Sequence, residues 1–98
     1  MKKLSPSARV ETLIARITGR VQGVGFRMAT VREAHSLGVT GWVRNLEDGS
    51  VEALLQGPHE AIDTMLSWLH VGPRAARVDT VQTREVHDER HYDRFEQI

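Results

Sequence analysis

Cysteine is absent from this 98-residue chain, which excludes a disulfide framework and any metal site built on thiolates. Net charge is absent as well: thirteen Lys and Arg balance thirteen Asp and Glu. A broadly basic surface for DNA or RNA is therefore not indicated. No apolar run approaches the roughly 20 residues that a membrane-spanning helix needs. Aromatic residues are few, with two Trp, two Phe and one Tyr. No expected strand carries the pair of exposed rings on which RNA-recognition sheets stack bases. Met1 to Arg9 contains Lys2 and Lys3 but no hydrophobic stretch after them, so it does not read as a secretory signal. These absences leave one domain, dependent on a single well-packed core. It is expected to be a cytoplasmic monomer with no nucleic-acid or membrane partner. Residues 1–9 read as a flexible polar tail and residues 10–98 as the folded domain.

Hydrophobic periodicity divides the domain into elements. Leu13, Ala15 and Ile17 alternate with Thr12, Arg16 and Thr18, the pattern of a half-buried strand over about 11–19. Met28, Val31, Ala34 and Leu37 recur at helical steps and predict an apolar helix face, with Gly38 as a left-handed stop. A second strand is expected over about 39–46. Asp48-Gly49 then signals a hairpin in which both turn positions take positive φ. Val51, Ala53 and Leu55 share one face of a third strand over 51–56, and Gly57-Pro58 breaks it, with Pro58 in the first turn of a helix. Ile62, Met65, Leu66 and Leu69 fall at i, i+3, i+4 and i+7. Gly72-Pro73 ends that helix. Val78, Val81 and Val86 mark a fourth strand whose uneven alternation points to a bulge or a strong twist. Phe95 to Ile98 reads as a short last strand.

The order β-α-β-β-α-β predicts an α+β, ferredoxin-like sandwich. Its expected form is an antiparallel sheet of four to five strands with two helices on one face. That fold hosts unrelated functions, so function has to be read from a site.

The stretch Gly19-Arg-Val-Gln-Gly-Val-Gly-Phe-Arg27 lies between the first strand and the first helix. Glycine permits positive φ and close approach of backbone to a ligand. Amides at a strand-to-helix turn can converge on an anion, and the helix N-terminus adds positive potential. The guanidinium of Arg27 supplies a planar fork matched to phosphate oxygens. A Walker A loop would need Lys-Ser or Lys-Thr after its last glycine, where Phe26-Arg27 stands. A dinucleotide fingerprint would need glycine where Met28 stands. From these residues alone, a turn that only redirects the chain, with Arg27 solvated, is the competing reading.

The blocks Val21-Gln22-Gly23-Val24-Gly25-Phe26-Arg27, Leu37-Gly38, Gly41-Trp42-Val43-Arg44-Asn45 and Asp48-Gly49 with Val51-Glu52 resemble the acylphosphatase family. Gln56-Gly57 and Trp68-Leu69 also fit, so the resemblance spans about 11–98. It implies hydrolysis of the carboxyl–phosphate bond of small-molecule acyl phosphates, with inorganic phosphate as product and neither metal nor other cofactor. It further implies a phosphate loop over 21–26, phosphoryl binding by Arg27, and positioning of the attacking water by Asn45. The chain departs from the family's Phe-x-aliphatic ending, because Gln97 stands at the aliphatic position. That departure bears on the packing of the last strand. A non-catalytic module binding phosphate or a phosphorylated metabolite is the alternative that the same cradle would serve.

The chemistry of the motif agrees with an acyl phosphate substrate. A carboxylate leaves as a stable anion without a general acid, whereas an alkoxide would need one or a metal. The motif region offers no carboxylate pair, no nucleophile–base dyad and no metal-ligand cluster. Positioning and charge stabilisation remain. Among other residues, Phe26 is expected to anchor the loop, Trp42 and Trp68 to pack, and Arg44 to be solvated. His87 and His91 have i, i+4 spacing but lie in the charged run 84–94, where solvated histidines are expected rather than metal ligands.

Overall fold

The computed structural model describes residues 9–87 and 90–98. The tail expected over 1–9 therefore lies, apart from Arg9, outside the described residues. Five strands and two helices follow in the order β1 (Val10–Arg20), α1 (Phe26–Leu37), β2 (Thr40–Asn45), β3 (Val51–Pro58), α2 (His59–Val71), β4 (Arg77–Glu85) and β5 (Phe95–Gln97).

The strands form one sheet in the order β4-β1-β3-β2-β5. The three contacts among β1 to β4 are antiparallel. The sheet is not antiparallel throughout, however: β5 runs parallel to β2, with Phe95 beside Gly41 and Gln97 beside Val43. The chain leaves β4 at one edge and returns at the other, and that crossing sets the direction of β5.

Alternation along β1 and β3 builds the core face. Leu13, Ala15 and Ile17 lie opposite Leu55, Ala53 and Val51, and all six are buried with Val43 of β2. Ile62, Met65 and Leu69 of α2 complete this core, as their spacing predicts. Burying side chains of this size contributes about 1.5–3 kcal/mol each. The expected bulge is present, since the β1–β4 register slips between Thr18 and Gly19 and leaves Asp79 unpaired.

Three local expectations are corrected. First, the buried residues of α1 are Phe26, Ala29, Thr30 and Ala34. Val31 and Leu37 pack partly against the core, but Met28 stands 61% exposed. The helix turns its N-terminal end so that Phe26 enters the core, packed on Trp68 at 5.8 Å between ring centroids. That rotation carries Met28 outward. Second, β3 does not break at Gly57. It continues to Pro58, which is extended (φ −63°, ψ 148°) and caps α2 instead of lying in its first turn. A strand end tolerates proline's missing N–H. Third, Gly49 alone takes positive φ (92°) in the β2–β3 hairpin, and Asp48 does not. The turn closes through Gly49 N–H to Leu46 O at 3.2 Å and Leu46 N–H to Ser50 O at 2.9 Å.

Gln56, only 5% exposed, ties the chain that approaches β5 to the end of the sheet. Its Nε2 donates to Arg90 O at 2.8 Å and to Thr12 Oγ1 at 3.0 Å, and its Oε1 accepts from the Tyr92 N–H at 2.9 Å. All the amide's principal hydrogen-bonding groups are thus used, as a buried amide requires.

Candidate active site

The loop between β1 and α1 reverses direction through Gly23 (φ 73°) and Gly25 (φ 76°). A Cβ at either position would meet nothing within 4 Å, so it is the left-handed backbone, not crowding, that calls for glycine. Gly25 is the N-terminal cap of α1. The first helical bond runs from Ala29 N–H to Gly25 O at 3.0 Å. The N–H groups of Phe26 and Arg27 therefore precede the helix's own hydrogen-bond ladder and remain available at its positive end.

A cavity of about 220 Å³ opens at this end of the helix. It is lined by Val21, Gly23, Gly25, Phe26, Arg27, Met28, Asn45 and Gln97. Loop, helix start, β2 end and β5 end thus meet at one place. Arg27 Nη1 lies 3.4 Å from the Ile98 backbone oxygen, a long contact. Asn45 lies opposite Val51 at the end of β2, on the face that carries Val43, as regular alternation requires. Its Oδ1 is buried with no hydrogen-bond partner. Leaving such an acceptor unpaired costs about 1–3 kcal/mol, so a water or ligand group donating a hydrogen bond to this atom would be stabilised.

Two of the expected loop residues do not line the cavity. Gln22 sends its side chain away to the hairpin, where Nε2 donates to Leu46 O at 2.8 Å and Ser50 O at 2.9 Å. Val24 packs against the core. The hairpin that receives Gln22 is itself tightened by Asp48, which accepts from the Ser50 hydroxyl and from Ser50 N–H at 2.9 Å and pairs with Arg16. These bonds, the Ser50 hydroxyl first, hold the Asp48 carboxyl well below the usual carboxylate range.

Met28 and Gln97 are lining residues that the sequence pattern did not single out for the site. Met28 read as core. Gln97 carried a signal, since it replaces an aliphatic residue in the expected ending, and the structure leaves it exposed while Phe95 is buried. A larger cleft of about 420 Å³ is bounded by Trp42, Arg94, Glu96 and Ile98, among others. Glu96 and Ile98 alternate with Gln97 along the chain, and this cleft gathers none of the glycine loop.

The sequence profile described as Acylphosphatase matches residues 13–97. The chain belongs to the acylphosphatase family. An acylphosphatase from Paraburkholderia xenovorans is 61% identical over 89 residues, covering 91% of this chain and 92% of that one. The structure of an acylphosphatase from Coxiella burnetii is similar with a TM-score of 0.86 and 35% identity, covering 91% and 93% of the two chains. The acylphosphatase from Bacillus subtilis gives a TM-score of 0.87 and 31% identity, covering 92% and 99%. The ferredoxin-like fold expected from the element order is thus shared with solved acylphosphatases. Among the described residues no group of three or more His, Cys, Asp or Glu could hold an ion. His87 lies 3.6 Å from Glu85. Arg44, expected to be solvated, pairs with Glu52 and lies over the Trp42 ring at 5.1 Å. No helix among the described residues is long and apolar enough to cross a membrane.

Proposed function

We propose that this chain hydrolyses acyl phosphates to a carboxylate and inorganic phosphate by direct, in-line attack of water, without a metal and without a phosphoenzyme. One observation carries the reading. Arg27, the start of α1 and Asn45, whose Oδ1 has no hydrogen-bond partner, line the same cavity.

In this mechanism the phosphoryl group occupies the loop. Its equatorial oxygens accept hydrogen bonds from N–H groups of the 21–26 loop and from the Arg27 guanidinium. Phosphoryl transfer gathers charge on these oxygens, and donors fixed before reaction stabilise it without reorganisation. A water donates a hydrogen bond to Asn45 Oδ1 and turns a lone pair toward phosphorus. The water O–P bond forms while the bond from phosphorus to the acyl oxygen breaks, and that electron pair departs with the carboxylate. An amide is no base at neutral pH, so the water's proton passes to a phosphoryl oxygen or to bulk solvent. No general acid is needed because the leaving group is already a weak base. We take the protein to act as a cytoplasmic monomer.

The test is hydrolysis of acetyl phosphate and benzoyl phosphate in the presence of a chelator, beside a simple phosphate monoester. Turnover of both acyl phosphates with little turnover of the monoester is expected. Phosphate binding without turnover would instead support a non-catalytic phosphate module.

A further inference from the structure

Among the described residues, four large apolar side chains are more than half exposed: Val10, Met28, Val71 and Ile98. Isolated exposed apolar residues are ordinary on a protein surface. Met28 differs in position, because it follows Arg27 directly and forms part of the wall of the same cavity. It also belongs to the helical series Met28, Val31, Ala34, Leu37, whose other members all contact or enter the core. A residue of core type has thus been turned out of the core at the one point where the helix meets the site. Local departures from sequence patterning concentrate at functional places.

The charge of the wall is equally informative. Among the described residues that line it, Arg27 is the one cation, and Asn45 and Gln97 are neutral amides. Once Arg27 engages the phosphoryl oxygens, the lining offers no second cation to an anionic group on the acyl side. An acyl group bearing a carboxylate or another phosphate would be desolvated against a thioether and an amide, an unfavourable exchange. An uncharged acyl group with apolar surface would instead lose water on both sides of its contact with Met28. Methionine is suited to this, being unbranched, polarisable and favourable against ring edges.

Given the acyl phosphate hydrolysis proposed above, we infer that Met28 is a specificity-determining residue that selects substrates with an uncharged, apolar acyl group. Its side chain covers the acyl moiety while Arg27 and the loop hold the phosphoryl group.

The experiment compares kcat/KM for benzoyl phosphate, acetyl phosphate and succinyl phosphate in wild type, Met28→Gln, Met28→Leu and Met28→Lys. Met28→Gln is expected to lower the benzoyl-to-acetyl ratio about 10-fold, the order typical of one apolar contact in a specificity pocket. Met28→Leu should keep that ratio within about 2-fold, since it restores the apolar surface. Met28→Lys should shift preference toward succinyl phosphate. Equal changes on all three substrates in every variant would overturn the assignment of Met28 while leaving the hydrolase reading intact. Failure of wild type to hydrolyse any of the three would instead remove the hydrolase reading, and this inference with it.

Discussion

Gln22 Nε2 lies 2.8 Å from the carbonyl oxygen of Leu46, the residue that follows Asn45. A second bond at 2.9 Å reaches Ser50 O across the same hairpin. The glycine loop and the strand end that carries Asn45 are separate in sequence, and this one amide ties them together. Removing it should therefore act on the site more than on the fold. Gln22→Met keeps the chain length and deletes both donors. Stability, measured by urea denaturation, should fall by about 1 kcal/mol. The kcat/KM on acetyl phosphate should fall by about 10-fold or more, since small displacements of catalytic groups cost heavily. Equal kcat/KM in the variant would show that the loop holds its shape unaided.

Arg27→Lys retains the charge but loses the planar fork. If the guanidinium binds two oxygens of the phosphoryl group, the variant should lose about 10²–10³ in kcat, equivalent to about 2.7–4 kcal/mol. Inhibition by inorganic phosphate should weaken in parallel. Near-normal turnover with an ammonium at this position would refute bidentate recognition.

Asn45→Ala separates positioning from binding. Turnover of saturating substrate should drop, with inhibition by inorganic phosphate nearly intact. Thermal stability should be held or raised, because the substitution removes a buried acceptor that has no partner. Loss of phosphate binding with normal turnover would contradict the role given to Asn45.

His59 links the start of α2 to β1. Its Nδ1 lies 2.7 Å from Glu11 and its Nε2 3.1 Å from Asp63. The hydrogen bond to Glu11, followed by the charges of Asp63 and Glu11, raises the His59 pKa above the ordinary histidine value. A folded-state pKa above the unfolded one means that the stabilisation is complete below about pH 6.5 and is lost as pH rises through the folded value. Wild-type stability relative to His59→Gln should therefore decline across that upper range. The effect should be small and should shrink in salt, because the groups are exposed. A His59 titration by NMR at or below the ordinary value would contradict this account.

Periodicity made most of the fold readable, since Leu13, Ala15 and Ile17 of β1 and Ile62, Met65 and Leu69 of α2 fall on buried faces at strand and helix spacing. The motif 21–27 was legible as a candidate because its glycines and Arg27 suit an anion cradle, whereas Asn45 was legible only through the resemblance to the acylphosphatase family. Met28 was misread because a helix face is defined by what packs on it. Phe26, two residues before Met28, took the buried place. Pro58 was placed one position too far along, because its fixed φ suits the cap as well as the first turn, and Asp48 was given a positive φ that only Gly49 adopts.

The linear order of residues, by itself, determined the succession of strands and helices, the left-handed loop and the presence of Arg27 and Asn45. Those properties follow from local steric preference and from alternation of polarity over a few residues. Tertiary structure decided that the Gln22 side chain reaches the hairpin, that β5 lies parallel to β2, and that Asn45 and Gln97 line one cavity with Arg27. Each of these depends on contact between segments far apart in the chain, and no local preference carries that information.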